Sequence, residues 1–351
     1  MANYDGARWA AFQYKLSELM NKPEFKFKPS PALMKFKEFS GFLIPASEKE
    51  RILGVKQTDQ DTVSVNIINK QSISTGSARA YNHKGSINDS TTETLTYTTY
   101  AGDFTYSVKA ADRLIFSQSE IVAKQMLSTI IALHEAIETA LLANLNTNKS
   151  QVVNSLTPKS GTWDAANFLF GIANTDENVW MQRVRGFMRE QYFKGTYAAI
   201  LDEVLWQSAE FNIQQGAGNA SNLAWQAAGI NPGDQPTQEL TLDDDFVGEG
   251  YIFPVGTIGI DDWIPRLNRD GFGASGAIGG FYTKMLDPLG SKLVFAIHEY
   301  QAGADNQSAA GETQDVNVHV EISVDIAPLV APMSTANQSP VYKFGLLSEN
   351  I

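Results

Sequence analysis

Residues 117–146, SQSEIVAKQMLSTIIALHEAIETALLANLN, form the most regular pattern in the chain. Apolar residues recur at helical spacing and form one stripe that consists of Met126, Ile130, Leu133, Ile137, Ala140 and Leu141. Ser117 to Glu120 fit a capping box, in which the serine hydroxyl and the glutamate carboxylate each accept a hydrogen bond from a backbone N–H of the first turn. The pattern predicts a single helix of about thirty residues and ~45 Å, longer than is usual in a globular domain. We expect this helix to act as a strut.

Alternating apolar and polar residues predict strands on both sides of that helix. Residues 61–108 predict a long hairpin that projects from the body, with a polar tip over 71–90 that is too long for a simple turn. The clearest strand covers residues 315–326, where every second residue is apolar, and Pro328 and Pro332 are expected to end it. Buried strands are also predicted over 198–201 and 292–297, and helices over 164–194 and 203–213.

Residues 1–50 indicate an arm that does not fold alone. A short amphipathic helix is followed by residues 22–42, in which lysines are interleaved with phenylalanines and prolines keep part of the segment extended. One interpretation is nucleic-acid contact through lysines and stacked phenylalanines. The other is an arm that docks its phenylalanines on another surface and leaves its lysines solvated. The net charge of -12 favours the second interpretation, because nucleic-acid binding is driven by a basic face.

Composition excludes several classes of site and protein. Apolar residues make up 43% of the 351 residues and charged residues 19%, which is typical of a globular chain. The absence of cysteine excludes disulfides, thiolate nucleophiles and cysteine-based zinc sites. We expect no membrane partner, because the most apolar stretch, residues 129–145, contains His134, Glu135 and Glu138, whereas a membrane span needs about 20 apolar residues.

Two sequence motifs resemble catalytic or cofactor motifs, but each is incomplete. Gly271 to Gly276 match G-x-G-x-x-G, but no strand is predicted before the motif and no helix after it, so we interpret it as a flexible loop. His134 to Glu138 resemble H-E-x-x-H with glutamate in place of the second histidine, so an ion pair or hydrogen bond on the helix flank is the simpler interpretation. We predict no catalytic residue and no cofactor.

Acidic residues cluster in two places, Asp243 to Asp245 with Glu249, and Asp261 with Asp262. Carboxylates are hard ligands for divalent cations, but the spacing of a calcium-binding loop is absent. We interpret these residues as solvated loop carboxylates and predict no metal ligand, although a loosely held divalent cation remains open.

The order of these pieces resembles the major capsid protein of tailed bacteriophages, the HK-ninety-seven type of α+β fold that encapsulins and herpesvirus capsid floors share. The resemblance is carried by the arm, the projecting hairpin, the long helix, a Gly- and Asn-rich mixed region and the late strand. It implies an N-terminal arm over 1–55, an E-loop hairpin over 56–110, a P-domain over 111–195 with its strand over 311–330, an A-domain over 196–310 and a C-terminal segment over 331–351.

The resemblance also implies function and partners. It implies a non-enzymatic subunit that assembles with copies of itself, as hexamers and pentamers, into the icosahedral head of a virion enclosing double-stranded DNA. Assembly is expected in the host cytoplasm with a separate scaffolding protein, a portal and decoration proteins, and with only weak contact to packaged DNA. The alternatives are an encapsulin-type cellular compartment shell and a cytosolic nucleotide-binding enzyme that uses the glycine loop.

The aromatic residues of the arm and the hairpin are the predicted contacts between subunits, because neither segment can bury its apolar side alone. They are Phe25, Phe27, Phe36, Phe39, Phe42, Tyr81, Tyr97, Tyr100 and Tyr106.

Overall fold

The structure is a computed structural model that describes residues 6–22, 26–43, 50, 52, 54, 62–68, 90–107, 118–217, 229–240, 242–243, 245–264, 281–301, 317–333, 335 and 337–348. Five α-helices have both ends in this part of the chain: α1 (Gly6–Met20), α2 (Pro31–Leu43), α3 (Gln118–Thr147), α4 (Trp180–Glu190) and α5 (Glu203–Ala217). A 3-10 helix, Asn174–Val179, leads directly into α4. Helix α2 was not predicted, because the prolines before it suggested extended chain.

Thirteen strands complete the described part of the chain. They are β1 (Thr62–Ile68), β2 (Ser90–Thr96), β3 (Thr98–Ser107), β4 (Thr162–Asp164), β5 (Leu169–Ile172), β6 (Tyr197–Leu201), β7 (Ile230–Asn231), β8 (Phe246–Pro254), β9 (Ile258–Trp263), β10 (Phe281–Leu286), β11 (Val294–Gln301), β12 (Asn317–Val330) and β13 (Tyr342–Leu347). They form a two-stranded ribbon, a five-stranded sheet and a six-stranded sheet, so the predicted α+β class is confirmed.

The long helix α3 is observed within one residue of each predicted end. Its predicted stripe is buried except for Ala140, which is half-buried, and it packs against α1, α2 and β3. Residues 119–147 make α3 the one described helix that is long and apolar enough to cross a membrane, but half of its most apolar window is buried in the chain's own core. The buried stripe therefore explains its apolar character. Ser117 of the predicted capping box lies outside the described residues.

The five-stranded sheet has the order β10-β11-β12-β3, with β9 paired to the far end of β12. The late strand β12 is observed, but it runs on through Pro328 to Val330, so the prediction that Pro328 ends it is wrong. Pro328 lies opposite Ile260 of β9, whereas pairing with β3 ends at Ile326. The missing proline N–H is tolerated because, among the described strands, one side of β12 has no partner there.

The predicted hairpin is present at its base, where β1 and β2 pair antiparallel from Thr62 opposite Thr96 to Ile68 opposite Ser90. Strand β3 continues from β2 but pairs with β12 in the five-stranded sheet. The ribbon is thus anchored directly to the body of the chain. Most of the predicted polar tip, residues 71–89, lies outside the described residues.

The six-stranded sheet has the order β4-β5-β13-β8-β6-β7 and is covered on both faces. Alternate residues of β6 show this: Ala198 and Ile200 join the core around α2 and α3, while Tyr197, Ala199 and Leu201 join the core around α4 and α5. The predicted helix over 164–194 is wrong in its first half. Residues 162–172 form β4 and β5, and the α-helix covers only Trp180–Glu190.

The sheets do not follow the predicted domain boundaries. The segment 196–310 is split, because its strands β6 to β8 lie in the six-stranded sheet whereas β9 to β11 pair in the five-stranded sheet with β12. The C-terminal segment 331–351 supplies β13, which lies inside the six-stranded sheet between β5 and β8. Both departures have the same cause. The predicted boundaries divide the chain into consecutive segments, whereas strand pairing joins residues that are far apart in sequence.

Candidate functional site

Glu138 on α3 binds the N-terminus of α2. Its Oε1 atom accepts hydrogen bonds from the Ala32 N–H at 3.0 Å and the Thr237 hydroxyl at 3.2 Å, and its Oε2 atom accepts one from the Leu33 N–H at 2.9 Å. The first N–H groups of a helix have no partner within the helix, and its N-terminus favours negative charge. Pro31, the first residue of α2, has no N–H to satisfy. This fully buried carboxylate therefore fixes the N-terminal segment to the long helix.

His134 lies one turn earlier on α3 and makes a second buried tie. Its Nε2 atom is 3.0 Å from Oδ2 of Asp287, in the turn between β10 and β11, and its Nδ1 atom is 3.4 Å from the Ser30 hydroxyl. Asp287 also accepts hydrogen bonds from the backbone N–H groups of Leu289 and Ser291. Burial opposes ionisation of Asp287, but the bonds from His134 and Ser291 hold the pKa of its carboxyl below the ordinary value. We call Glu138, Thr237, His134, Asp287 and Ser30 the docking centre.

The docking centre corrects the interpretation of His134 and Glu138 as a pair on the helix flank. Both side chains are buried, and each binds partners outside α3. Those partners lie about a hundred or more residues away in sequence, at Ser30, Ala32, Thr237 and Asp287. Helical spacing alone therefore could not reveal them.

The interpretation of residues 243–249 as solvated loop carboxylates is also corrected. Glu249 is fully buried and forms an ion pair with a lysine of the same chain. The Lys343 ammonium lies 2.6 Å from Oε2 of Glu249 and 2.8 Å from Oδ2 of Asp243. Burial raises the pKa of Glu249, and Lys343 opposes that shift. An ammonium group of the chain itself thus lies between Asp243 and Glu249, where the sequence had left a loosely held divalent cation open. Among the described residues, no group of three or more metal-ligating side chains is found.

The arm phenylalanines divide into two groups. Phe36 and Phe39 are buried within the chain's own core at 0% and 3% exposure, so their assignment to contact between subunits is corrected. Phe27 and Phe42 are 49% and 72% exposed and remain available for a partner. The expectation of solvated lysines fails at Lys35, which is buried. Phe25 lies outside the described residues.

The hairpin tyrosines divide in the same way. Tyr106 is buried and its hydroxyl donates to Glu299 at 2.6 Å, so it too is removed from the predicted contacts. Tyr97 is half-buried and donates to Asp261 at 2.5 Å, and both burial and that carboxylate raise the pKa of its phenol. Tyr100 is half-buried against the main core. Tyr81 and the glycine motif at 271–276 lie outside the described residues.

Asp261 and Asp262, predicted to be solvated, have partners from two other segments. Asp261 binds Tyr97 at the base of the hairpin, and Asp262 forms an ion pair with Lys37 of α2. Both aspartates lie on β9, which packs against α2. This strand therefore ties the arm to the base of the hairpin, the two segments for which contacts between subunits were predicted.

A cavity of about 430 Å³ opens beside the docking centre. Its lining combines apolar side chains of the arm with buried polar groups and includes Phe27, Met34, Lys35, Glu38, His134 and Leu289. Lys35 is held by Glu38 at 3.3 Å, and His134 by Asp287. Lys35 and His134 are thus paired within the chain, and both pairs help to hold the docked arm in place.

Stability should depend on pH through Glu138. Burial raises the pKa of this carboxyl to about 7 from its ordinary value of 4.5, although the Leu33 and Ala32 N–H groups lower it. The folded chain therefore keeps a proton that the unfolded chain releases, so the free energy of unfolding should fall between pH 4.5 and 7, by at most about 3 kcal/mol. Urea unfolding across that range measures the slope.

Glu138→Gln should flatten this slope, because the amide does not titrate. Some slope should remain, since burial also raises the pKa of Asp202, to about 6. An unchanged slope in Glu138→Gln would show that Glu138 does not carry the effect. Above pH 7, where the carboxylate is ionised, the amide of the variant offers one acceptor oxygen in place of two, so one N–H group of α2 should lose its partner.

Comparisons with known proteins bear on the fold. No protein-family model matches the chain, and neither does any curated protein. A solved structure from Mycobacterium phage Che8 is similar over 92% of this chain and 93% of that chain, with a TM-score of 0.51 and 8% identity. Mycobacterium phage Adephagia matches over 97% and 99% with a TM-score of 0.49 and 11% identity. The capsid of Myoviridae phage XM1 matches over 93% and 95% with a TM-score of 0.47 and 9% identity.

The similarity to the Che8 chain covers nearly the whole of both chains, so it concerns the fold as a whole and not one segment. At 8% sequence identity, this similarity is evidence about the fold alone. The chain therefore has the α+β fold of a bacteriophage chain over almost its entire length, and the fold predicted from the sequence is confirmed.

Proposed function

We propose that this chain is the structural subunit of the icosahedral head of a tailed bacteriophage and has no enzymatic activity. The near full-length fold similarity to the Che8 chain is the observation that carries the proposal. The XM1 structure is that of a capsid, which agrees with it. The histidine and the carboxylates of the docking centre and the Lys343 cluster are used in internal ties, which agrees with a structural role.

We assign contacts between subunits to the exposed phenylalanines of the arm and to the hairpin. Phe42 is 72% exposed at the C-terminal end of α2, and Phe27 is 49% exposed before its N-terminus. Covering a phenylalanine is worth roughly 1.5–3 kcal/mol, against about 0–1 kcal/mol for an exposed ion pair. Phe25, Tyr81, Tyr97 and Tyr100 complete the proposed set.

The proposed partners are further copies of the chain, arranged as hexamers and pentamers around double-stranded DNA. A separate scaffolding protein, a portal and decoration proteins would join them. The chain would then assemble in the host cytoplasm and remain in the virion. Residues 1–55 would serve as the arm and the β1–β2 ribbon as the E-loop, and the five-stranded sheet with α3 would form the P-domain.

Phe42→Ala should impair assembly while leaving the subunit folded. The exposed ring contributes little to the isolated chain, but its loss removes apolar contact with a neighbouring copy. Sedimentation velocity of the purified protein, with and without a phage scaffolding protein, measures the assembled fraction. Tyr14→Ala is a matched control, since Tyr14 is 71% exposed but lies on α1, outside the proposed contacts. Equal assembled fractions for Phe42→Ala and the unaltered chain would remove Phe42 from the interface.

A further inference from the structure

Helix α4 presents a basic face on a chain that is acidic as a whole. Its apolar residues, Trp180, Met181, Val184, Phe187 and Met188, are buried in the second core. Arg185 and Arg189 lie on the opposite side, Arg183 lies at its edge, and Lys194 follows four residues after the helix ends. The chain has a formal net charge of -12, so a group of four cations within twelve residues is a local reversal of sign.

The one carboxylate within α4 belongs to Glu190, and both of its oxygens already accept hydrogen bonds. Oε1 of Glu190 accepts a hydrogen bond from the Ser160 hydroxyl at 3.0 Å, and Oε2 accepts one from the Lys159 backbone N–H at 3.1 Å. Arg183 forms an ion pair with Asp176 at 3.0 Å. Within the described part of the chain, no carboxylate lies within ion-pair distance of Arg185, Arg189 or Lys194. These three side chains therefore form no ion pair in the described part of the chain, and residues 183–194 keep a formal net charge of +3 with Glu190 included, four cations against one carboxylate.

Arg185 and Arg189 lie on one face of α4. They are four residues apart on the helix, so they share one face about 6 Å apart along the axis. Burial raises the pKa of Tyr197, and the charges of Arg189 and Arg185 both act against that shift. Both guanidinium groups thus lie within electrostatic range of the same hydroxyl.

An exposed aromatic residue follows this pair directly after the end of α4. Tyr192 is 81% exposed and has a φ of 64°, the left-handed conformation that a helix end usually reserves for glycine. The Tyr192 N–H donates to the Arg189 carbonyl and the Phe193 N–H to the Met188 carbonyl, which close the helix. A tyrosine here is strained and contributes little apolar burial, so stability does not explain the choice of residue.

We propose that Arg185, Arg189, Lys194 and Tyr192 form a contact surface for nucleic-acid phosphates. Planar guanidinium groups match phosphate oxygens in a two-pronged geometry, and an exposed ring can stack on a base or sugar. This surface deepens the proposed function, because it supplies the weak contact with packaged DNA. A chain with a net charge of -12 would bind DNA weakly. It would do so only at a surface where the local charge is positive.

Fluorescence anisotropy of labelled 20-nucleotide single-stranded and 20-base-pair double-stranded DNA, titrated with the full chain, tests the proposal without requiring assembly. Arg185→Gln with Arg189→Gln should weaken binding at least fivefold. The slope of log K against log salt should fall by about 1.4–1.8, since each lost phosphate contact contributes about 0.7 for single strands and 0.9 for duplex. Arg189→Gln alone, at an exposed position, should give about half of this change.

Two control variants separate binding from folding. Lys15→Gln with Lys22→Gln on the arm removes the same charge elsewhere and should change binding less than twofold. Tyr192→Gly should raise the melting temperature, because glycine suits the left-handed position, while weakening binding to single-stranded DNA about tenfold or less.

Two results would overturn the proposal. The first is equal binding by the unaltered chain and the double arginine variant, and the second is binding of a poly-glutamate peptide as tight as that of DNA. If shells form but DNA binding is unaffected by the arginine variants, this surface is wrong and the proposed function stands.

Discussion

Replacing Lys343 by methionine should destabilise the chain by about 3–5 kcal/mol, because it leaves the buried Glu249 carboxylate without its cation. Glu249 is 0% exposed and the Lys343 ammonium lies 2.6 Å from it, in the middle of the six-stranded sheet. Methionine has a similar length and fills the same space, so the loss reports the uncompensated charge and not a cavity. Urea unfolding at pH 7 measures the difference in free energy.

A second substitution should restore most of that stability. In Lys343→Met with Glu249→Gln, the glutamine is neutral but still offers an oxygen to the Asp243 N–H, which donates to Glu249 at 2.9 Å. The double variant should therefore be clearly more stable than Lys343→Met alone. Lys194→Met, at an exposed lysine, should change stability by less than about 0.5 kcal/mol. Equal stability of Lys343→Met and Lys194→Met would contradict the buried ion pair.

Phe36→Ala should cost the isolated subunit about 3–5 kcal/mol, the usual range for deleting a buried phenylalanine side chain. The ring is 0% exposed within the core that joins α2 to α3 and β9. If α2 is docked on its own chain, this loss appears in the unassembled protein. Chemical unfolding at a concentration where no assembly occurs gives the measurement.

Phe42→Ala is the matched comparison, since it removes the same ring from the other end of the same helix. At 72% exposure, Phe42 should change the stability of the subunit by less than about 1 kcal/mol. If Phe36→Ala were equally mild, α2 would not be docked on its own chain, and the arm would have to bind a neighbouring copy as its sequence pattern suggests.

Elements set by local periodicity were predictable. Helix α3 and strand β12 carry patterns in which one face is apolar over many residues, and both were found. The aromatic residues of the arm were identified as docking residues, but the sequence did not distinguish docking within the subunit from docking between subunits. That distinction depends on which surface lies opposite Phe36, and β9 begins more than two hundred residues later.

Polar groups were the least predictable part. Glu138, Glu249 and Lys343 are charged residues that the sequence places on exposed surfaces by default, yet all three are buried. Their burial is compensated by long-range partners, namely the N–H groups of α2 and each other. The prediction of a helix over residues 164–172 was wrong for a similar reason. The strands of this segment pair with each other and with β13, 174 residues away, which overrides a helical pattern.

Electron microscopy of the purified full chain, alone and with a phage scaffolding protein, decides whether this fold serves as a shell subunit. Closed particles of uniform diameter, built from hexameric and pentameric clusters of this chain, are the predicted result. A chain that stays monomeric under every condition, including with the scaffolding protein present, would contradict the proposed function.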